Sequence, residues 1–266
     1  MYKRQLNDSA FARWTALILV ALTMFFGYMF VDMMSPLQSM IEAQRGWTPD
    51  VFGMYGSSEF IFNVFGFLIL AGIILDKMGV RFTGILSASL MVLGAGIKFY
   101  GLSNYFYEGG FGYEFLSSFL TDIPASAKLA CLGFMVFGCG TEMAGVTVSR
   151  AIVKWFTGKE LALAMGLEMA IARLGVFAVF SLSPWVANWG GDPSVARPVA
   201  VVGLLLCIGL LTYIAFSVMD FKLDRQTEAD TPIGETEEPF KVADLKNLFS
   251  SKTFLIVSAL CVLIAR

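Results

Sequence analysis

Six apolar runs, at residues 14–36, 50–72, 82–102, 127–153, 161–186 and 198–219, are each long enough to cross a bilayer as a helix. In hydrocarbon every backbone N–H and C=O must be paired inside the protein, so successive runs of this length fold as a helical bundle. The composition agrees. Apolar residues make up 57% of the chain and charged residues 15%, against about a quarter charged in a soluble domain. The mean hydropathy is +0.71. The expected fold is an all-α membrane protein: a six-transmembrane-helix bundle over 1–220, a polar linker over 221–252, and the start of a seventh helix over 253–266. That last run gives about 21 Å of helix against a hydrocarbon core of roughly 30 Å, so it is read as a truncated crossing.

Loops that stay in the cytoplasm keep Lys and Arg. One side of the bundle carries Lys3, Arg4, Arg13, Lys77, Arg81, Arg150, Lys154, Lys159, Lys222, Arg225, Lys241, Lys246 and Lys252; the other carries Arg45, Lys98, Lys128 and Arg197. This asymmetry puts the amino terminus and the linker in the cytoplasm. The linker mixes Asp224, Glu228, Asp230, Glu235, Glu237 and Glu238 with Thr, Pro and Gly, and a short amphipathic helix is expected at 242–249. Six crossings, a long cytoplasmic linker and a seventh crossing form the layout of a transporter built from two six-helix halves. The long loop 103–126, rich in Tyr, Phe and Gly, is expected to lie at the membrane interface.

The chain has no histidine, which excludes imidazole metal ligands and histidine bases and leaves proton chemistry to carboxylates. Cys131, Cys139, Cys207 and Cys261 lie in apolar runs without metal-ligand spacing and read as packing residues. No cofactor, metal or nucleic-acid partner is expected. The partners are the lipid bilayer and a small-molecule substrate, with a proton as candidate coupling ion.

A charge deep in the bilayer costs at least about 2.5 to 3.5 kcal/mol on insertion scales, so each one needs a partner or an aqueous cavity. Asp32, Glu59, Glu142, Glu168 and Arg173 are such charges. The fourth and fifth helices are antiparallel about the short stretch 155–160, so Glu142 and Arg173, equidistant from it, lie at similar depth near the bilayer centre. Helical spacing gives Glu142 a face with Gly138, Gly145 and Ser149, and Arg173 a face with Gly166 and Met169. On the first helix Phe25, Tyr28 and Asp32 recur at the same spacing, and Tyr28 is read as lining a cavity. For Glu59 and Glu168, a cavity or coupling role and a structural ion pair remain equal readings.

The turn after the second helix reads Gly72-Ile-Ile-Leu-Asp76-Lys77-Met-Gly79-Val-Arg81. It resembles the conformational latch signature of the major facilitator superfamily, in the place where that family carries it. Two further stretches resemble the lysosomal dipeptide transporter branch of that superfamily and its bacterial relatives. They are Phe26-Gly-Tyr28-Met-Phe-Val-Asp32, and Gly138-Cys-Gly-Thr-Glu142 with its continuation through Trp155 to Arg173-Leu-Gly175. The resemblance covers about the first 190 residues. It implies twelve helices in two bundles, of which this chain holds the amino-terminal one. It also implies Glu142 facing a peptide amino group, Arg173 facing a peptide carboxylate, and Tyr28 and Asp32 on the cavity wall. Phe134 departs from the pattern, since many relatives carry an arginine there.

The expected function is secondary or facilitative transport of small solutes, dipeptides or similar zwitterions foremost. A major facilitator transporter of organic anions is the alternative, and a seven-helix sensor or membrane enzyme a remote one. A bacterial inner membrane is the expected location. The wall opposite Glu142 and Arg173 is expected from a carboxy-terminal half, without which the 266 residues should not transport.

Overall fold

A computed structural model describes residues 5–230 and 251–264, and the expected helix at 242–249 lies outside them. The chain divides into two compact units at residues 231–232. The first unit carries α1 (Ala10–Asp32), α2 (Gln38–Arg45), α3 (Pro49–Ser58), α4 (Ile61–Val64) and α5 (Phe67–Leu102). It continues with α6 (Asn104–Tyr107), α7 (Tyr113–Ser117), α8 (Ala125–Phe156), α9 (Leu161–Ala187) and α10 (Ala196–Asp230). The described part of the second unit is α11 (Lys252–Ile264).

Among the described residues five helices are long and apolar enough to cross a membrane, against the six runs expected from the sequence. The difference lies in the second crossing, which is assembled from pieces. It starts at α3, capped by the Thr48 side chain accepting from the Val51 N–H with Pro49 in the first turn. It is interrupted after Ser58 and again at Phe65–Gly66, where Gly66 is left-handed. It then resumes as the first part of α5. That helix cannot run straight for its 36 residues, because Lys98 near its end lies 5.0 Å from the ring of Tyr55 in α3. The chain reverses at Gly79, whose φ of 75° and ψ of 172° belong to a region essentially open to glycine alone. The second and third crossings therefore form a hairpin inside one continuous helix assignment.

Small residues set the packing. A Cβ on Gly94 would come within 2.5 Å of the Gly133 carbonyl oxygen, and one on Gly175 within 2.4 Å of the Phe25 oxygen. These contacts join α5 to α8 and α1 to α9 almost backbone to backbone. Thr23 of α1 donates to the Gly209 oxygen of α10 at 3.0 Å. Tyr213 of α10 donates to Val80 at 3.1 Å from beneath the hairpin turn.

Two sets of polar ties close the ends. At the end bearing the amino terminus, Arg13 pairs with Glu160 at 3.3 Å and Lys159 with Asp8 at 2.8 Å. At the opposite end the buried guanidinium of Arg45 donates to the Leu102 oxygen and to Asn104, and Trp47 donates to Ser126 at 3.0 Å. Lys98 is a correction to the sequence reading. Instead of serving a loop, it is wholly buried between helices. The loop 103–126 contains α6 and α7 and turns Phe111 and Phe115 outward, 89% and 71% exposed. The helix of the sixth crossing continues to Asp230, past the point where the composition turns polar.

Candidate functional site

Helices α1, α8 and α9 enclose a cavity of about 270 Å³, lined by Tyr28, Gly145, Ser149, Glu168, Ala172 and Arg173, with Met24 and Met169 at its edge. Each helix contributes through its own periodicity. Gly145 and Ser149 follow Glu142 on one face of α8, and Glu168 and Ala172 stand one turn apart on α9. The absent side chain of Gly145 leaves open space, since a Cβ there would meet nothing within 4 Å. The Arg173 guanidinium lies over the Tyr28 ring, 5.2 Å from its centroid. This stacking holds the cation at the wall while leaving its N–H fork open to an incoming acceptor. Asp32, half-buried one turn beyond Tyr28, lies within electrostatic range of Arg173.

The cavity thus brings Tyr28, Glu168 and Arg173 together. Glu142 stands beyond its lining, and no ion pair within 4.0 Å joins it to Arg173 among the described residues. Glu142 instead faces the second crossing, within electrostatic range of Glu59. Glu59 is 4% exposed and sits at the break after α3, where its backbone and stem press on α8. Gly138 makes room for it: a Cβ at that position would fall 2.2 Å from the Glu59 oxygen.

The residues of the latch-like signature, Gly72 to Arg81, occupy the amino-terminal end. Asp76 pairs with Arg150 of α8. Arg81 reaches Asp224 at 3.2 Å and Asp220 at 3.9 Å, and Lys154 binds the same two carboxylates at 2.5 and 2.8 Å. Trp155 donates to Asp220 at 3.0 Å. Gly79 makes the turn, Gly72 is half-buried in the helix before it, and Lys77 is exposed. Sequence reasoning passed over Asp220, whose signal was an acid at the end of an apolar run. It also passed over Tyr55 and Asn63, and it placed Lys98 outside the membrane. Tyr55, Glu59 and Asn63 recur at four-residue spacing, a polar stripe that could have been read from the second run. Among the described residues no group of three acidic, Cys or His side chains is placed to hold a metal.

A bundle of apolar crossings, a polar cavity among three of them and a charged clasp at the hairpin turn define a helical membrane protein with a polar site inside the bundle. The chain belongs to the Major Facilitator Superfamily, whose family model matches residues 17–265. It is an integral, multi-pass membrane protein. It is similar to lysosomal dipeptide transporter MFSD1 of Gallus gallus, 31% identical over 135 residues, which is 49% of this chain and 30% of that protein. The Danio rerio protein of that name is 33% identical over 131 residues, 47% of this chain and 28% of the relative. The Homo sapiens one is 26% identical over 140 residues, 50% and 30%. The matched stretch therefore spans under a third of those relatives. No solved structure matches the chain.

Proposed function

We propose that this bundle is one wall of a transporter for small zwitterions, dipeptides foremost, working by alternating access against a second six-helix bundle. The observation that carries the reading is the Arg173 guanidinium held on Tyr28 at a polar cavity, with the acids Glu168, Glu142 and Asp32 on the surrounding helices. A dipeptide presents a carboxylate and an ammonium a few ångströms apart. An open guanidinium fork answers the first and a neighbouring acid the second. Glu142 is the acid we assign to the ammonium. The names of the animal relatives support the cargo class. The compartment in those names is not transferred; we place the protein in a bacterial inner membrane as part of this proposal, with the amino terminus in the cytoplasm and a proton as candidate co-substrate.

Uptake by the full-length transporter in proteoliposomes tests the assignment. Arg173→Ala and Glu142→Gln should each lower uptake at least about tenfold, the loss of one charge-assisted contact. Unlabelled dipeptides should compete where simple monocarboxylates do not. Normal uptake in both variants would remove the proposal, and competition by monocarboxylates alone would replace it with organic-anion transport anchored on Arg173.

A further inference from the structure

Lys98 is 0% exposed, and its Nζ has no hydrogen-bond partner among the described residues. Three aromatic faces box it: Phe30 of α1 at 4.3 Å, Phe134 of α8 at 4.8 Å and Tyr55 of α3 at 5.0 Å from the ring centroids. The box is itself locked. Tyr55 stacks on Phe134 at 4.7 Å, and Phe30 packs on Phe137 at 4.6 Å. The base of the lysine is equally fixed, since a Cβ on Gly133 would fall 2.6 Å from the Lys98 backbone nitrogen. This cation cannot swing to solvent as a flexible surface lysine does.

Ring faces attract an ammonium but do not replace its lost water, so a full charge there requires negative charge nearby. Glu59 is the carboxylate that supplies it. Glu59 is within electrostatic range of Lys98, and also of Glu142 and Asp32. Three acids from three helices thus surround one interior, and they repel one another unless a cation offsets them. Arg173, on the far side beside Tyr28, reaches Asp32. The remaining titratable neighbours of the box are Tyr55 itself and Cys131 of α8.

We propose that Lys98 is the fixed counter-ion of Glu59, a positioning residue that lets that carboxylate stay charged at the break of the second crossing, beside the acids Glu142 and Asp32. It acts through Glu59, independently of which solute is carried. Removing it turns Glu59 into a proton-binding site, because a buried carboxylate without its cation is more cheaply kept as the acid.

Apparent thermal stability of the purified full-length transporter, scanned at about pH 5.5 and about pH 8.5, reads this directly. Lys98→Met should lower Tm by about 10 °C at the higher pH, the loss expected for breaking a buried pair, and by less than half of that at the lower. The sign follows from linkage: the folded variant binds more protons than the unfolded chain, so its stability falls as pH rises. Adding Glu59→Gln should abolish the pH difference. Glu59→Gln alone strands the ammonium and should show the opposite slope, more stable at high pH, which keeps the test decisive if Lys98→Met does not fold. Equal losses at both pH values in the single variants, or an unchanged pH difference in the double variant, would overturn the proposal and leave Lys98 a packing residue. No substrate is needed, so this outcome is separate from that of the dipeptide reading.

Discussion

Asp220 is the most heavily loaded carboxylate at the amino-terminal end, and its replacement by asparagine has a calculable cost. Its side chain is 1% exposed and accepts from Lys154 at 2.8 Å and Trp155 at 3.0 Å, with Arg81 at 3.9 Å. Asparagine keeps the shape and an oxygen for Trp155 but removes the charge. Breaking a buried pair costs about 3 to 5 kcal/mol when the stranded partner is also buried. Lys154 and Arg81 are 31% and 38% exposed and retain Asp224, so solvent and the second carboxylate recover part of that. The remainder is about 2 kcal/mol, or roughly 4 to 8 °C in Tm for a cooperative unit of 150 to 250 residues. Asp224→Asn serves as the control, because a 27% exposed carboxylate in the same network should cost under about 1 kcal/mol. The assay is thermal unfolding of the purified transporter in detergent. If Asp220→Asn and Asp224→Asn shift Tm equally, burial is not what gives Asp220 its weight and the reasoning fails.

Two glycines separate packing from backbone strain. Gly94→Ala should destabilise by at least about 2 kcal/mol, since the new methyl falls 2.5 Å from both the Gly133 oxygen and the Phe137 nitrogen and neither backbone can yield locally; expression and Tm of the variant check this, and a neutral result would mean α5 and α8 are not in register as described. Gly79→Ala meets nothing within 4 Å, so its cost of about 1 to 3 kcal/mol comes from the positive φ alone. Replacing Gly79 with D-alanine, whose mirror-image backbone preference includes this positive φ, should cost less than L-alanine in the same Tm measurement.

What the sequence made legible was whatever rests on local periodicity or on lipid as solvent. The apolar runs located the crossings because a helix in hydrocarbon must satisfy its own backbone. The spacing of Glu142, Gly145 and Ser149 correctly described one face of α8. The sequence could not reveal that Gly145 and Ser149 line the cavity while Glu142, on that same face, looks toward Glu59. Depth along a helix is set by residue count, whereas direction around it is set by which neighbour packs there, and the break after Ser58 brought the second crossing against Gly138. Lys98 was misread for a related reason. A lysine a few residues from the end of an apolar run is ordinarily a snorkelling loop residue, and only the convergence of rings from α1, α3 and α8 makes an interior position tolerable. Phe134 carries the same lesson from the other side. Along the chain it is an apolar residue where the family resemblance implies an arginine, while in the bundle its ring is one wall of the box around a cation supplied by α5. Charge in the interior of this protein is therefore a property of the assembled helices, because the rings of Phe30, Tyr55 and Phe134 that hold Lys98 come from three different ones.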